Sequence, residues 1–310
     1  MSALICGSLA YDNIMAFDDH FKNHILSEKL HMLSVAFLVP EMRQEFGGCA
    51  GNIAYSMKLL EVAAHPMGTV GKDFGRYADW IETNQISTKY LATVADQFTA
   101  QAFITSDLDG NQITMFHPGA MNMSHLNSIK DANGIDIGIV SPDGRDGMVQ
   151  HAAQFCEAGI PFIFDPGQGL PMFDGADLKF FIKQAAYVIV NEYEWEILSE
   201  RTGYTEADIT AQVSALIVTL GAQGSVIHTK DKPHQIPIVH SNDAVDPTGC
   251  GDAYRAGLLY GLQHGLPWET IGHIASLMGT IVVEHAGTQN HRFKLGDFKA
   301  RFKENFGYEF

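Results

Sequence analysis

Short apolar runs that stop on a polar or small residue recur along this chain, and they constrain its fold more than any other feature. Leu4-Ile5-Cys6 runs into Gly7-Ser8, Phe162-Ile163-Phe164 ends on Asp165, Tyr187-Val188-Ile189-Val190 on Asn191, and Leu216-Ile217-Val218 on Thr219. Met67–Gly71 and Ile135–Val140 have the same character. Between the runs lie stretches with helical spacing of their apolar residues: 52–60, 75–84 and 147–158. Runs this short and this continuous suit strands buried on both faces, and such strands belong to a parallel sheet with helices on either side. The predicted class is α/β, a doubly wound sheet flanked by helices. In such sheets ligands bind beyond the carboxyl ends of the strands, which singles out Asp165, Asn191 and Thr219.

One region breaks the alternation. From His20 to Phe46 the pattern suggests a small separate sheet, with Leu30–Val39 apolar-rich but interrupted by His31 and Ser34. Residues 103–105 and 112–116 bracket Asp107-Leu108-Asp109-Gly110-Asn111, a hairpin signal. The chain is therefore read as one domain, residues 1–310, with a small β lid inserted at about 15–46 and a candidate second contribution from 98–118.

Composition excludes several classes of function. With 46% hydrophobic and 18% charged residues in 310, a large core is available. No apolar stretch approaches the roughly 18 residues of a membrane span, and the start of the chain reads as a first strand and not as a leader. A cytoplasmic protein is expected. The four cysteines show no CxxC spacing, and the fourteen histidines form no HExxH pair. His20 and His24 are read as part of a solvated loop. A net charge of −16 disfavours nucleic acid and anionic membranes as partners. Any phosphate ligand must be held locally, by backbone amides, a helix N-terminus and a metal ion.

Asp246-Pro247-Thr248-Gly249-Cys250-Gly251-Asp252 carries the most chemistry. Two glycines precede a helical pattern (Ala253, Ala256, Leu259, Tyr260), so successive N–H groups can converge at the positive end of a helix. Asp252 sits in the first turn, placed to accept a proton from a hydroxyl. The same residues also fit a capping acid after an ordinary turn.

The segment resembles the D-x-T-G-(A or C)-G-D signature of the PfkB, or ribokinase-like, kinases. Three further segments resemble that family's motifs, in its order. Gly47-Gly48-Cys49-Ala50-Gly51-Asn52 matches the glycine pair with its following Asn, Asn191-Glu192-Tyr193-Glu194 matches N-x-x-E, and Thr219-Leu220-Gly221-Ala222-Gln223-Gly224 matches T-x-G-x-x-G. There is no Walker A motif. The resemblance implies an ATP- and Mg²⁺-dependent phosphotransferase. Asp252 would be the general base and the amides of Gly249, Cys250 and Gly251 the anion hole. Asn191 and Glu194 would organise magnesium, with Glu194 its metal contact. Thr219, Gly221 and Gly224 would border ATP, and Ser8, Asp12, Gly47, Gly48 and Asn52 the acceptor. Read without the resemblance, Asp12 fits a turn residue, Asn52 a helix N-cap and Glu194 a surface acid.

The stretches 31–40, 116–121, 193–195 and 286–289 resemble bacterial adenosine kinases. A purine needs a flat slot with aromatic walls. Phe116 and Phe37 are candidates, equally readable as core, and Gln168 could reach the base or ribose. Adenosine kinase is thus the expected activity, with a sugar kinase of the same fold or a non-catalytic nucleoside-binding protein as alternatives. The family also implies a homodimer, through residues 27–46 of the lid.

Overall fold

The computed structural model describes residues 2–25, 31–32 and 34–310. Along the chain run β1 (Ser2–Cys6), β2 (Ala10–Ala16), β3 (Glu41–Gly47), α1 (Cys49–Leu59), β4 (Ala63–Gly71), α2 (Gly75–Thr83), β5 (Tyr90–Val94), β6 (Ala100–Ser106), β7 (Gln112–His117) and β8 (Ile137–Val140). There follow α3 (Arg145–Ala158), β9 (Phe162–Phe164), α4 (Gly175–Gln184), β10 (Tyr187–Asn191), α5 (Glu192–Thr202), α6 (Glu206–Thr210), β11 (Ala215–Thr219), β12 (Ser225–His228), β13 (Pro233–Ile236), α7 (Cys250–Gln263), α8 (Trp268–Val283) and α9 (Leu295–Phe306).

Nine strands form the central sheet, in the order β13-β12-β11-β10-β9-β8-β1-β4-β5. All neighbours from β5 to β11 are parallel, while β12 and β13 are antiparallel additions. The period of two along each strand splits the core. Ile5, Ile139, Ile163, Ile189 and Ile217 face the layer holding α1, α2, α7 and α8. Leu4, Cys6, Val140, Phe164, Val190 and Val218 face the layer holding α3 to α6. Both faces are covered, which is why these runs are apolar throughout. The chain starts at β1 and builds outward to β5, then returns to β8 on the other side of β1. The reversal leaves a crevice beyond the carboxyl ends of β1 and β8, the usual ligand position in this architecture.

The second sheet has four strands, in the order β3-β2-β6-β7. Its strands come from 10–47 and from 100–117, two segments far apart in sequence. The hairpin expected around Asp107–Asn111 is the β6–β7 turn, where Asp107 Oδ1 accepts from the backbone N–H of Asp109 and Asn111. The strand expected over Leu30–Val39 is corrected. Residues 34–39 carry no strand, and the paired segment is β3, from Glu41. That strand pairs antiparallel with β2 residue by residue, from Glu41 opposite Ala16 to Gly47 opposite Ala10. Leu30 and Leu33 lie outside the described residues, as do residues 27–30 of the expected dimer contact. No helix among the described residues is long and apolar enough to cross a membrane.

Candidate active site

The N-terminus of α7 opens onto the crevice. Gly249 caps this helix with φ +83°, a left-handed conformation that L side chains rarely adopt, and a Cβ there would press on Thr288 at 3.1–3.2 Å. No side chain caps the helix. Among the described residues, the amides of Gly249, Gly251 and Asp252 have no acceptor within the chain, whereas Cys250 N–H already donates to Pro247 O at 3.2 Å. The group of amides open to an anion is therefore shifted from the expected Gly249–Cys250–Gly251 toward Gly249, Gly251 and Asp252. The thiol of Cys250 is pushed up to about 11, by burial first and then by Asp246 and Asp252, so it is neutral and weakly nucleophilic.

Asp252 lies half-buried beside these amides. Its carboxyl is raised to about 6, chiefly by burial, with the fields of Asp165 and Asp12 adding to the rise and Arg255 and Asn52 opposing it. Asn52 Nδ2 donates to Asp252 Oδ2 at 2.8 Å across a sequence separation of 200 residues. Asn52 is not the N-cap of α1. That place belongs to Gly48 at φ +84°, and Asn52 sits in the first turns of the helix with its side chain turned to α7. The glycine pair has a steric cause. A Cβ on Gly47 would land on the Asp12 carboxylate, and one on Gly48 would meet Ser8 O at 2.6 Å. Ser8 itself is occupied in holding α1: its Oγ accepts from Cys49 N–H at 3.3 Å and its carbonyl from Ala50 N–H at 3.0 Å.

Asp12 lies on β2 and not in a turn, directly opposite Glu45 of β3. Burial and that neighbouring carboxylate raise it to about 6. The register places Asp12 beside Ala102 of β6, and Ala102 beside Phe116 of β7. Residues in register share a face, so Phe116 stands on the same face as Asp12 and two strands away, about 10 Å. Phe116 is 51% exposed, so it is not core. Phe37 is placed elsewhere: it joins Phe17, Phe21 and His24 in an aromatic cluster with centroid separations of 5.0–6.1 Å, beyond the end of β2. This corrects the expectation that it walls a purine slot. Gln168 is exposed on the turn after β9.

At the carboxyl end of the sheet, Thr219 ends β11, and Gly221 and Gly224, at φ +55° and +92°, form the tight turn into β12. Asn191 and Glu194 form a reciprocal capping box at the start of α5: Asn191 Oδ1 accepts from Glu194 N–H, and Glu194 Oε2 accepts from Asn191 N–H, both at 2.8 Å. The Glu194 carboxyl is raised by burial, against the backbone N–H of Asn191 and the charge of Arg255.

Three groups have partners that the sequence does not name. Asp165, 1% exposed, makes a bidentate pair with Arg255, whose Nε and Nη2 each lie 2.5 Å from a carboxylate oxygen. Arg255 Nη1 also donates to Gly251 O at 2.9 Å, which ties the glycine loop to the end of β9. The third, Gln289, donates to Asn52 Oδ1. Sequence offers little warning of these contacts. Arg255 shares a helix turn with Gly251 and Asp252, but its partner is 90 residues away. His20 and His24 lie on a loop open to solvent, as the sequence suggests; His20 comes within 3.0 Å of Asp109, and His24 binds Asp19. His20, Asp107 and Asp109 cluster within 4.8 Å, with Lys22 Nζ already on Asp109 Oδ2 at 2.9 Å.

A glycine-cornered helix start, an acid beside it and a second acid across the crevice make an arrangement suited to transferring an anionic group to an alcohol. Comparison with known proteins agrees: residues 12–293 match the model of the pfkB family carbohydrate kinases. The chain belongs to that family. Among its relatives, the nucleoside kinase of Methanocaldococcus jannaschii is 32% identical over 266 residues, covering 85% of this chain and 87% of that protein. The solved structure of Burkholderia thailandensis nucleoside kinase in complex with inosine superposes with a TM-score of 0.91 at 49% identity, covering 99% of each chain. The same protein in complex with ADP-inosine gives 0.88 at 50% identity, covering 99% of this chain and 97% of that one. The pfkB assignment accounts for the ribokinase-like order of the central sheet.

Proposed function

We propose that the protein is an ATP-dependent nucleoside kinase that phosphorylates a purine nucleoside on its 5′-hydroxyl, with Asp252 as general base. The observation that carries this reading is the Asp252 carboxylate, half-buried and held by Asn52 at 2.8 Å, next to the unpaired amides of Gly249 and Gly251. Asp252 takes the hydroxyl proton as the alcohol oxygen bonds to the γ-phosphorus and the bond to the ADP oxygen breaks. The amides at the α7 N-terminus, directed along the helix axis out of its N-terminal end, offset the charge that grows on the phosphoryl oxygens.

Asp12 is the diol anchor in this reading, since one carboxylate can accept from two adjacent ribose hydroxyls. Its distance from Phe116, about 10 Å along one face of the small sheet, leaves the base stacked toward β7. The small sheet would then act as a lid over the nucleoside. Thr219, Gly221 and Gly224 border the ATP. The residues present also fit magnesium: the capping box uses Glu194 Oε2 and leaves one carboxylate oxygen, a donor set suited to a cation that keeps most of its waters. When bound, the ion neutralises phosphate charge that this acidic chain cannot.

The Burkholderia thailandensis nucleoside kinase, solved in complex with inosine, points to purine nucleosides as a class, and adenosine and inosine are the acceptors to compare first. A panel of adenosine, inosine, guanosine, cytidine and ribose in an ADP-release assay decides. A purine nucleoside should give the highest kcat/KM; preference for free ribose would move the assignment to a sugar kinase, and binding without turnover to a non-catalytic protein.

A further inference from the structure

The contact that orients Asp252 is the last link of a longer chain of hydrogen bonds, and that chain has a direction. Trp80 Nε1 donates to Gln289 Oε1 at 2.9 Å. Gln289 Nε2 donates to Asn52 Oδ1 at 2.9 Å and to Tyr77 OH at 2.6 Å. Tyr77 passes its own hydrogen to Gly47 O at 2.8 Å. Asn52 Nδ2 then donates to Asp252 Oδ2.

An amide side chain has nearly the same shape with its oxygen and nitrogen exchanged, so shape alone cannot set the sense of such a chain. The indole can. Trp80 has a hydrogen to give and nothing to accept with, so it fixes Gln289 with its oxygen toward the indole and its NH₂ toward α1. Both amide hydrogens are then used, and Asn52 must present its oxygen to Gln289 and its NH₂ to Asp252. A reversed Asn52 would set a carbonyl oxygen against a carboxylate. Burial makes the sense strict: Gln289, Tyr77 and Asn52 are 3%, 0% and 5% exposed, so none can take water as a substitute partner. The indole is clamped as well, between Phe46 at 5.4 Å and Tyr55 at 6.2 Å, under the Arg292 guanidinium at 5.3 Å.

We propose that Gln289 and Trp80 are positioning residues for phosphoryl transfer, a donor relay that keeps the Asn52 amide turned so that it holds Oδ2 of Asp252 and leaves Oδ1 for the acceptor hydroxyl. The proposal rests on Asp252 being the base. It adds two residues, 209 apart in sequence and neither facing the reacting atoms, to the machinery. The other charged or titratable groups facing Asp252 are Arg255 and Cys250 on α7, Asp165 at the end of β9, Asp12 on β2 and Cys49 on α1. All of them stay in place in the variants below, so differences between variants isolate the relay.

The test is a ¹³C-carboxyl titration of aspartate-labelled protein, with the Asp252 signal assigned by its loss in D252N, run beside the pH profile of kcat. In Q289L the donor that orients Asn52 is gone, and the Asp252 midpoint should rise by about one unit, a tenfold shift in the ionised fraction, because Asn52 is no longer held with its NH₂ toward Oδ2 and its hydrogen bond to the charged form is weakened. The acid limb of kcat should move by the same amount, with KM for ATP within twofold of wild type. W80F should give a smaller rise in the same direction, and the double variant no more than Q289L alone, since both act through one chain. An unchanged Asp252 midpoint in W80F, or in a folded Q289L, overturns the relay. Because the titration needs no substrate, it still decides if the protein turns over none of the nucleosides, an outcome that would instead sink the kinase reading.

Discussion

The steepest consequence of the site geometry is its acid limb. Asp252 and Asp12 are both raised to about 6 by burial and by neighbouring carboxylates. A raised carboxylate pKa means that the ionised form is complete only above 6 and is lost as the pH falls through it. If only Asp252 had to be ionised, kcat/KM at pH 5 would be about a tenth of its value at pH 7; if the diol anchor must be ionised as well, it would be about a hundredth. The predicted profile of wild type with a purine nucleoside therefore approaches a slope of two below pH 5.5. D12N should reduce the slope to one, and should also move the remaining limb to lower pH, since the negative charge of Asp12 helps to raise Asp252. D252N should lower kcat by about 10²- to 10⁴-fold, the range for a lost general base, and flatten the profile. Initial rates of ADP release from pH 4.5 to 8 in a constant-ionic-strength buffer measure all three. A wild-type acid limb centred near 4, where an unperturbed carboxylate titrates, or a D252N enzyme within tenfold of wild type, would refute the reasoning.

Other outcomes follow from the same structure. Because the folded-state pKa of Asp252 is raised, its ionised form opposes folding at neutral pH; D252N should be more stable than wild type to denaturant unfolding at pH 7, by on the order of 2 kcal/mol, and the gap should close below pH 4 as the wild-type carboxyl protonates. R255M leaves Asp165 buried without its partner and should cost about 3–5 kcal/mol in denaturant unfolding, while the R255M/D165N pair should recover much of it. G249A forces a side chain into φ +83° against Thr288 and should cost about 1–2 kcal/mol by thermal melting while raising KM for ATP. Chelation of divalent cations should abolish turnover, and E194Q should raise the magnesium needed for half-maximal rate several-fold in a metal titration. Phe103 and Met115 pair on the face of the small sheet opposite Asp12 and are 36% and 63% exposed. A homodimer through this sheet predicts a dimer mass by light scattering, and a monomer for the F103K/M115K variant.

Much of this protein was legible before any coordinates. The run from Phe162 to Asp165, or from Tyr187 to Asn191, is apolar at every position because both faces of a parallel strand are buried, and that is a local property of the chain. The Gly249–Asp252 corner is local too: a left-handed cap, open amides and a first-turn acid all lie within four residues. What the sequence could not rank was Asn191 with Glu194, because the spacing that suits a metal site is also the spacing of a capping box, and the structure shows the box. As aromatics Phe37 and Phe116 are alike in the sequence; the register of β2, β6 and β7 puts Phe116 on the face of Asp12, two strands away, whereas tertiary packing gathers Phe37 with Phe17, Phe21 and His24. Within the small sheet the strand lies at Glu41–Gly47 and not at 34–39, because its strands are joined by pairing between distant segments, and no local pattern records which residues will be partners.

The sequence by itself determined the parallel α/β core and the loops that can cradle an anion, since these depend on hydrophobic period and on glycine geometry within a few residues. Tertiary structure alone decided that Asn52 meets Asp252, that Asp165 meets Arg255, and that an indole on α2 sets the sense of an amide beyond α8. Each is a contact between groups 90 or more residues apart, and hydrogen-bond direction between them exists only once the intervening chain has folded and excluded water.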